Sequence, residues 1–164
     1  MGAKSQLIVA GTGHRPDKLG GYGPRAASVL FDLAFYELKY ISPDAVISGM
    51  AIGWDQALAA AALHIGVPLW AYVPFRGQEV LWPPSAQRAY KKILNEAESV
   101  DYICDPGFAA WKMQERNKAM VDDCTKVLAL WDGSSGGTGN CVKYANRQGK
   151  PVLNCWSRFL EMRL

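Results

Sequence analysis

KVLALWDGSSGGTGNCVKYA, residues 126–145, is the stretch on which the reading of this chain turns. It opens with a short apolar run, residues 127–131, bounded by turn-forming residues, which reads as a buried strand. Asp132, Gly133, Ser134, Ser135, Gly136, Gly137, Thr138 and Gly139 follow. Four glycines and three hydroxyls in eight residues cannot build a core. They leave backbone N–H groups open to an anion, because no side chain blocks the approach. A helix is predicted to start near Gly137, with Val142, Tyr144 and Ala145 for its buried face. Strand, glycine turn and helix N-terminus together make a phosphate site. The same residues also suit a plain tight turn, so the rest of the chain has to decide.

Outward from this stretch, apolar runs alternate with helical patterns. Strands are predicted at residues 6–10, 45–47, 69–73, 100–104 and 151–154, besides the one already described. Val29, Leu30, Leu33, Ala34, Leu38 and Ile41 recur at helical spacing behind Pro24, which suits a first helical position. Further helices are predicted over residues 57–65, 85–97 and 111–121, with Ser85 and Ser157 as caps and Trp111 on a buried side. The alternation predicts an α/β class: a Rossmann-like three-layer fold with a mostly parallel central sheet, in a single domain over residues 1–164.

Two other strands end in glycine-rich turns. Gly11, Thr12, Gly13, His14 and Arg15 follow the first strand, and Ser48, Gly49, Gly53 and Asp55 follow the second. In a parallel sheet such turns share one edge, where ligands bind. Asp55 reads equally as a residue that accepts free N–H groups at a helix start and as a ribose ligand. Phe75 and Trp82, in the long loop after the third strand, are predicted to plug the core rather than stack on a base.

With 164 residues, 49% hydrophobic and 20% charged, the chain is long enough and apolar enough for a sizeable core. Net charge is +3 and no run of Lys or Arg appears, which argues against a nucleic-acid partner. Cys104, Cys124, Cys141 and Cys155 match no zinc spacing and are expected as free thiols, so neither metal nor cofactor is expected. The apolar run near the N-terminus is too short for a signal peptide and nothing reaches membrane-spanning length, which predicts a cytoplasmic protein.

Taken in order, GTGHRP (11–16), SGMAIGWDQ (48–56), Pro74-Phe75, Trp82, Tyr90, ERN (115–117), Met120-Val121, WDGSSGGT (131–138), Lys143-Tyr144-Ala145 and Gly149-Lys150-Pro151 resemble the SLOG superfamily. That Rossmann-like group includes the Lonely Guy (LOG) phosphoribohydrolases and the DNA-processing protein DprA, and the nearest likeness is to YpsA-like proteins. The resemblance implies a nucleotide or nucleoside-phosphate site at the glycine turns, and a homo-oligomer. LOG enzymes carry PGGxGTxxE, where the Glu helps break the N-glycosidic bond. Here Ser135 replaces the Pro, Asn140 the Thr and Lys143 the Glu. A cation cannot stabilise an oxocarbenium-like centre.

The leading expectation is therefore a module that binds a nucleotide-derived ligand, to sense, sequester or deliver it. Gly136, Gly137, Thr138 and Gly139 would hold a phosphate, with Arg15, Arg116 and Asn117 beside them. The alternative is a LOG-type phosphoribohydrolase acting on nucleoside monophosphates, with Glu115 or Asp55 as its carboxylate. DprA-like DNA binding is disfavoured on charge.

Overall fold

The structure, a computed structural model, describes residues 5–164. The first four residues, part of the stretch read as too short for a signal peptide, lie outside the described residues. The strands are β1 (Ile8–Gly13), β2 (Ala45–Ser48), β3 (Leu69–Val73), β4 (Ser99–Tyr102), β5 (Lys126–Leu130) and β6 (Val152–Asn154). The α-helices are α1 (Pro24–Ile41), α2 (Trp54–Ile65), α3 (Pro84–Glu96), α4 (Ala110–Asp123), α5 (Gly137–Arg147) and α6 (Trp156–Met162). One six-stranded sheet runs in the order β4-β3-β2-β1-β5-β6, and every neighbouring pair is parallel.

A parallel sheet buries both faces, so its central strands must be apolar throughout rather than alternating. β2 is wholly buried and β5 is buried from Val127 on, while edge strand β4 has exposed residues. On one face α1, α2 and α6 pack a cluster that includes Leu33, Leu38, Trp54, Leu58 and Phe159. On the other, α4 and α5 pack Met120, Val121, Val142 and Ala145 against Val127 and Ala129. The result is the expected three-layer Rossmann-like arrangement. Pro24 opens α1 as predicted.

Three local readings change. Gly11, Thr12 and Gly13 are the end of β1 and not a turn. Their place in the ladder has a packing reason: a Cβ at Gly13 would overlap the side chain of Trp54, which is fully buried on α2. Trp111 is 60% exposed rather than on the buried side of α4. Ser85 and Ser157 sit inside the first turns of α3 and α6, because Pro84 and Trp156 already start those helices. Phe75 is buried as a plug, and the half-buried Trp82 packs against the core, meeting Tyr90 edge-on.

Cys104, Cys124, Cys141 and Cys155 are free, and all but Cys104 are buried. Among the described residues no helix is long and apolar enough to cross a membrane.

Candidate functional site

Strand order reverses beside β1. The chain runs from β1 outward to β4, then returns to place β5 on the other side of β1. The loops after β1 and β5 therefore leave the sheet edge on opposite faces, and a crevice opens between them. A cavity of about 490 Å³ lies there, lined by residues of both loops and by the facing side of α4.

The two loops are tied together. Asp132 N–H donates to His14 Nε2 at 3.1 Å, and the same nitrogen lies 2.8 Å from Asp132 Oδ1. Unprotonated, that nitrogen accepts the N–H; carrying a proton, it bonds the carboxylate. Ser134 donates its N–H and its hydroxyl to Asp132 Oδ1, which holds the Asp132 carboxyl well below the usual carboxylate range. Lys18, from the single 3-10 turn Pro16–Lys18, donates to Ser134 Oγ at 2.7 Å. Gly136 then turns the chain into α5 with φ +144, a backbone angle that an L side chain rarely adopts. The first N–H groups of α5 lack helical acceptors, and the residues that carry them, Gly137, Thr138 and Gly139, line the cavity.

Beneath lie a buried guanidinium, Arg116, and a buried carboxyl, Asp55. Arg116 Nη1 donates to the carbonyl of Gly49 at 2.6 Å and its Nε to Asn117 Oδ1 at 2.9 Å. A Cβ at Gly49 would overlap that guanidinium, so a larger residue there would have to displace it. Asp55 is 7% exposed, and its Oδ2 accepts from Ala51 N–H at 3.4 Å. Burial pushes the Asp55 carboxyl up to about 6, against the pull of Arg116. Burial also lowers Arg116, yet a guanidinium keeps its proton in proteins.

A folded-state value above the ordinary 3.8 means that the native state holds the Asp55 proton more tightly. The stability from that proton is present below pH 3.8 and is lost as pH rises through about 6. Binding of an anion follows the same sign, because a neutral Asp55 no longer repels it. Anion affinity is expected to rise as pH falls from 7 to 5, and Asp55→Asn should remove the Asp55 share of that rise. His14 and Asp17 also line the cavity, so the comparison is of slopes between the two proteins. Identical slopes by calorimetry would show that Asp55 does not sense the ligand.

The cavity gathers most of the residues read from the sequence. Gly11, Thr12, Gly13, His14 and Arg15 line it from the β1 side, and Asp55, Arg116 and Asn117 from below. Gly136, Gly137, Thr138 and Gly139 line it from α5. Ser48, Gly49 and Gly53 do not. Ser48 is fully buried, donating to the Asp55 carbonyl at 2.7 Å and accepting from Met50 N–H at 3.2 Å. Gly53 lines a separate apolar cleft. Glu115 is half-exposed, pairs with Lys118 at 3.5 Å and is absent from the lining, as is Lys143 on the exposed side of α5.

Asp17, Lys18, Phe108 and Gln114 were missed, and all four line the cavity. Lys18 shares its loop with Arg15, which was the available signal. Phe108 is 77% exposed at the end of the loop after β4. Lys112 Nζ fixes that loop by donating to the carbonyls of Asp105, Pro106 and Gly107 at 2.7, 3.2 and 2.7 Å.

The doubly wound sheet with a cavity at its switch point is a Rossmann-like arrangement, and the family match puts the chain on the DprA-like side of the SLOG superfamily. More closely, the chain belongs to the DNA recombination-mediator protein A family, which residues 31–162 match. It is 32% identical over 137 residues to the uncharacterized SPbeta prophage-derived protein YoqJ of Bacillus subtilis, covering 73% of this chain and 77% of that one. Its fold is similar to DNA processing protein A from Streptococcus pneumoniae, with TM-score 0.67 and 21% identity over 90% of this chain. The chain spans about half of that protein, 49% of its length. It is also similar to DNA processing protein A from Helicobacter pylori, with TM-score 0.64, 18% identity, and 95% and 72% of the two chains covered. That structure was described for the single-stranded DNA binding mode of the Helicobacter protein.

These findings overturn the exclusion of a nucleic-acid partner. The exclusion rested on net charge and on the absence of a basic run, and both are properties of the linear chain. The fold instead brings Arg15 and Lys18 of the β1 loop together with Arg116 of α4 in one cavity, which Asp17 and Asp55 also line. A local concentration of charge can bind phosphate where the whole-chain count is small.

Proposed function

We propose that this protein binds single-stranded DNA, with a backbone phosphate seated in the cavity between the β1 and β5 loops. The nucleotide read from the glycine turns is, on this proposal, one unit of a strand. One observation carries it: the start of α5, whose first N–H groups lack helical acceptors, lines one cavity together with Arg15, Lys18 and an exposed Phe108 ring. Cations and backbone N–H groups suit the phosphate, and an exposed ring suits a base. Membership of a DNA recombination-mediator family supports the choice of a strand. The YpsA-like likeness rests on the sequence motifs. A single domain, a cytoplasmic location and a homo-oligomer belong to the same proposal, with exposed Tyr36 and Tyr40 on α1 as apolar surface for a second copy.

The test is fluorescence anisotropy with a labelled oligothymidylate over a salt series. Arg15→Ala is expected to weaken binding by roughly 1.5–3 kcal/mol if its bond to phosphate is charge-assisted. The slope of log affinity on log salt should shrink by about 0.7 for each phosphate that is no longer neutralised. No binding at physiological salt, or affinity unchanged in both Arg15→Ala and Lys18→Ala, would defeat the reading. Binding of nucleoside monophosphates with release of free base would favour the phosphoribohydrolase instead. Asp17 and Asp55 are the carboxylates that face the cavity among the described residues.

A further inference from the structure

Arg15 belongs to two hollows. It lines the cavity just described, and it also lines a second one with Tyr22, Ile52, Leu81, Trp82 and Pro83. Tyr22 is 72% exposed and Leu81 97% exposed, so two large apolar side chains face solvent beside a single cation. Among the described residues, Arg15 is the one charged group lining this second hollow. Its walls are held in place. Trp82 meets Tyr90 edge-on with ring centroids 5.2 Å apart. Gln87 Nε2 donates to the carbonyls of Trp82 and Val80 at 3.0 and 3.3 Å, which fixes the loop that carries Leu81.

The phosphate cradle is thus flanked twice. Phe108 stands at the rim of the first cavity, and the Tyr22, Leu81 and Trp82 surface lies beyond Arg15. We propose that the strand crosses Arg15. One base packs on Phe108, the linking phosphate rests on the α5 N-terminus and Arg15, and the base of the adjoining nucleotide packs on Tyr22, Leu81 and Trp82. This rests on the single-stranded DNA reading above. The shared cation selects this occupant. A phosphodiester between two bases brings a charge to the place where the two apolar surfaces meet, whereas an apolar protein segment has no use for Arg15 there. Successive bases on apolar and aromatic side chains, with the backbone on cations, is the general chemistry of single-strand binding. A mononucleotide would fill one hollow and leave the other empty.

The experiment compares thymidine monophosphate, its dinucleotide and an oligothymidylate on the full chain. Stacking of one further base is worth roughly 5- to 150-fold in affinity. The dinucleotide and the oligomer should therefore bind wild type at least about fivefold more tightly than the mononucleotide. Leu81→Glu, at a solvent-exposed position, should preserve the fold and lower oligomer affinity at least about tenfold, by removing an apolar surface for the base and by like-charge repulsion. Its affinity for the mononucleotide should fall by less, because only the charge repulsion acts on a ligand that makes no contact with this apolar surface. An oligomer carrying iododeoxyuridine should crosslink to Tyr22 or Trp82 as well as to Phe108. Length-independent affinity, or unchanged oligomer binding in both Leu81→Glu and Trp82→Ala, would overturn the crossing while leaving DNA binding intact. Wild type that binds no oligomer would instead bring down the underlying DNA reading, and the crossing with it.

Discussion

Trp54→Ala is expected to lower the free energy of unfolding by about 3–5 kcal/mol, the usual cost of removing a fully buried large aromatic. Trp54 is 0% exposed. Its side chain fills the space that a side chain at position 13 would occupy. Its ring N–H donates to the Leu128 carbonyl on β5 at 3.4 Å, and its backbone N–H to the His14 carbonyl at 3.3 Å. One residue therefore braces β1, β5 and the start of the β1 loop from below. Loss of the ring leaves a cavity under Gly13 that the surrounding strands cannot close without leaving register. Urea unfolding followed by circular dichroism measures the change. A loss below about 1 kcal/mol would mean that the layer collapses to fill the space and that Trp54 is not the brace.

The largest expected effect on binding belongs to Gly137→Val. A Cβ at Gly137 meets nothing nearer than Gln114 Nε2, at 4.0 Å. The added side chain therefore fits the fold, and it projects toward a residue that lines the cavity. It should stand between the α5 N-terminus and a phosphate. Oligothymidylate affinity is expected to fall about 100-fold, equivalent to ~2.8 kcal/mol. The unfolding midpoint should move little. Gly136 is a poorer choice for the same question, because its positive φ strains any replacement and confounds folding with binding. Unchanged affinity by calorimetry in Gly137→Val would mean that the glycine stretch is only a turn.

Much of the fold was legible in the sequence because a parallel sheet needs short, continuous apolar strands separated by turn residues. The run at residues 127–131 and Pro24 at the start of α1 carried that information locally. What was not legible depends on partners far away in the chain. Gly11 and Gly13 look like a turn until Leu58 and Trp54 are known to press on them from α2. Trp111 looks like core until the register of α4 turns it outward. Periodicity does not reveal strand order, so the sequence placed the β1 and β5 loops on one sheet edge without showing that the two strands are neighbours. That return brings Lys18 to Ser134 and concentrates charge that a count over the whole chain had diluted. Phe108 was overlooked for a related reason. An exposed aromatic on a loop gains meaning only when the loop is fixed, here by Lys112.

The tie between His14 and Asp132 joins residues 118 positions apart. A nascent chain cannot form this cavity when β1, β2 and β3 first pair, because the opposite wall has not yet been made. Closing so long a loop is the slow, entropically expensive part of assembling such a sheet. Ligand affinity in a refolding experiment should therefore appear only with the final β1–β5 pairing, later than the bulk of the helical signal. A fragment ending before residue 126 would carry Arg15, Lys18 and Arg116, yet lack the glycine wall that faces them. On the proposed function, a strand that binds only the closed form would act as a latch on the last step of folding.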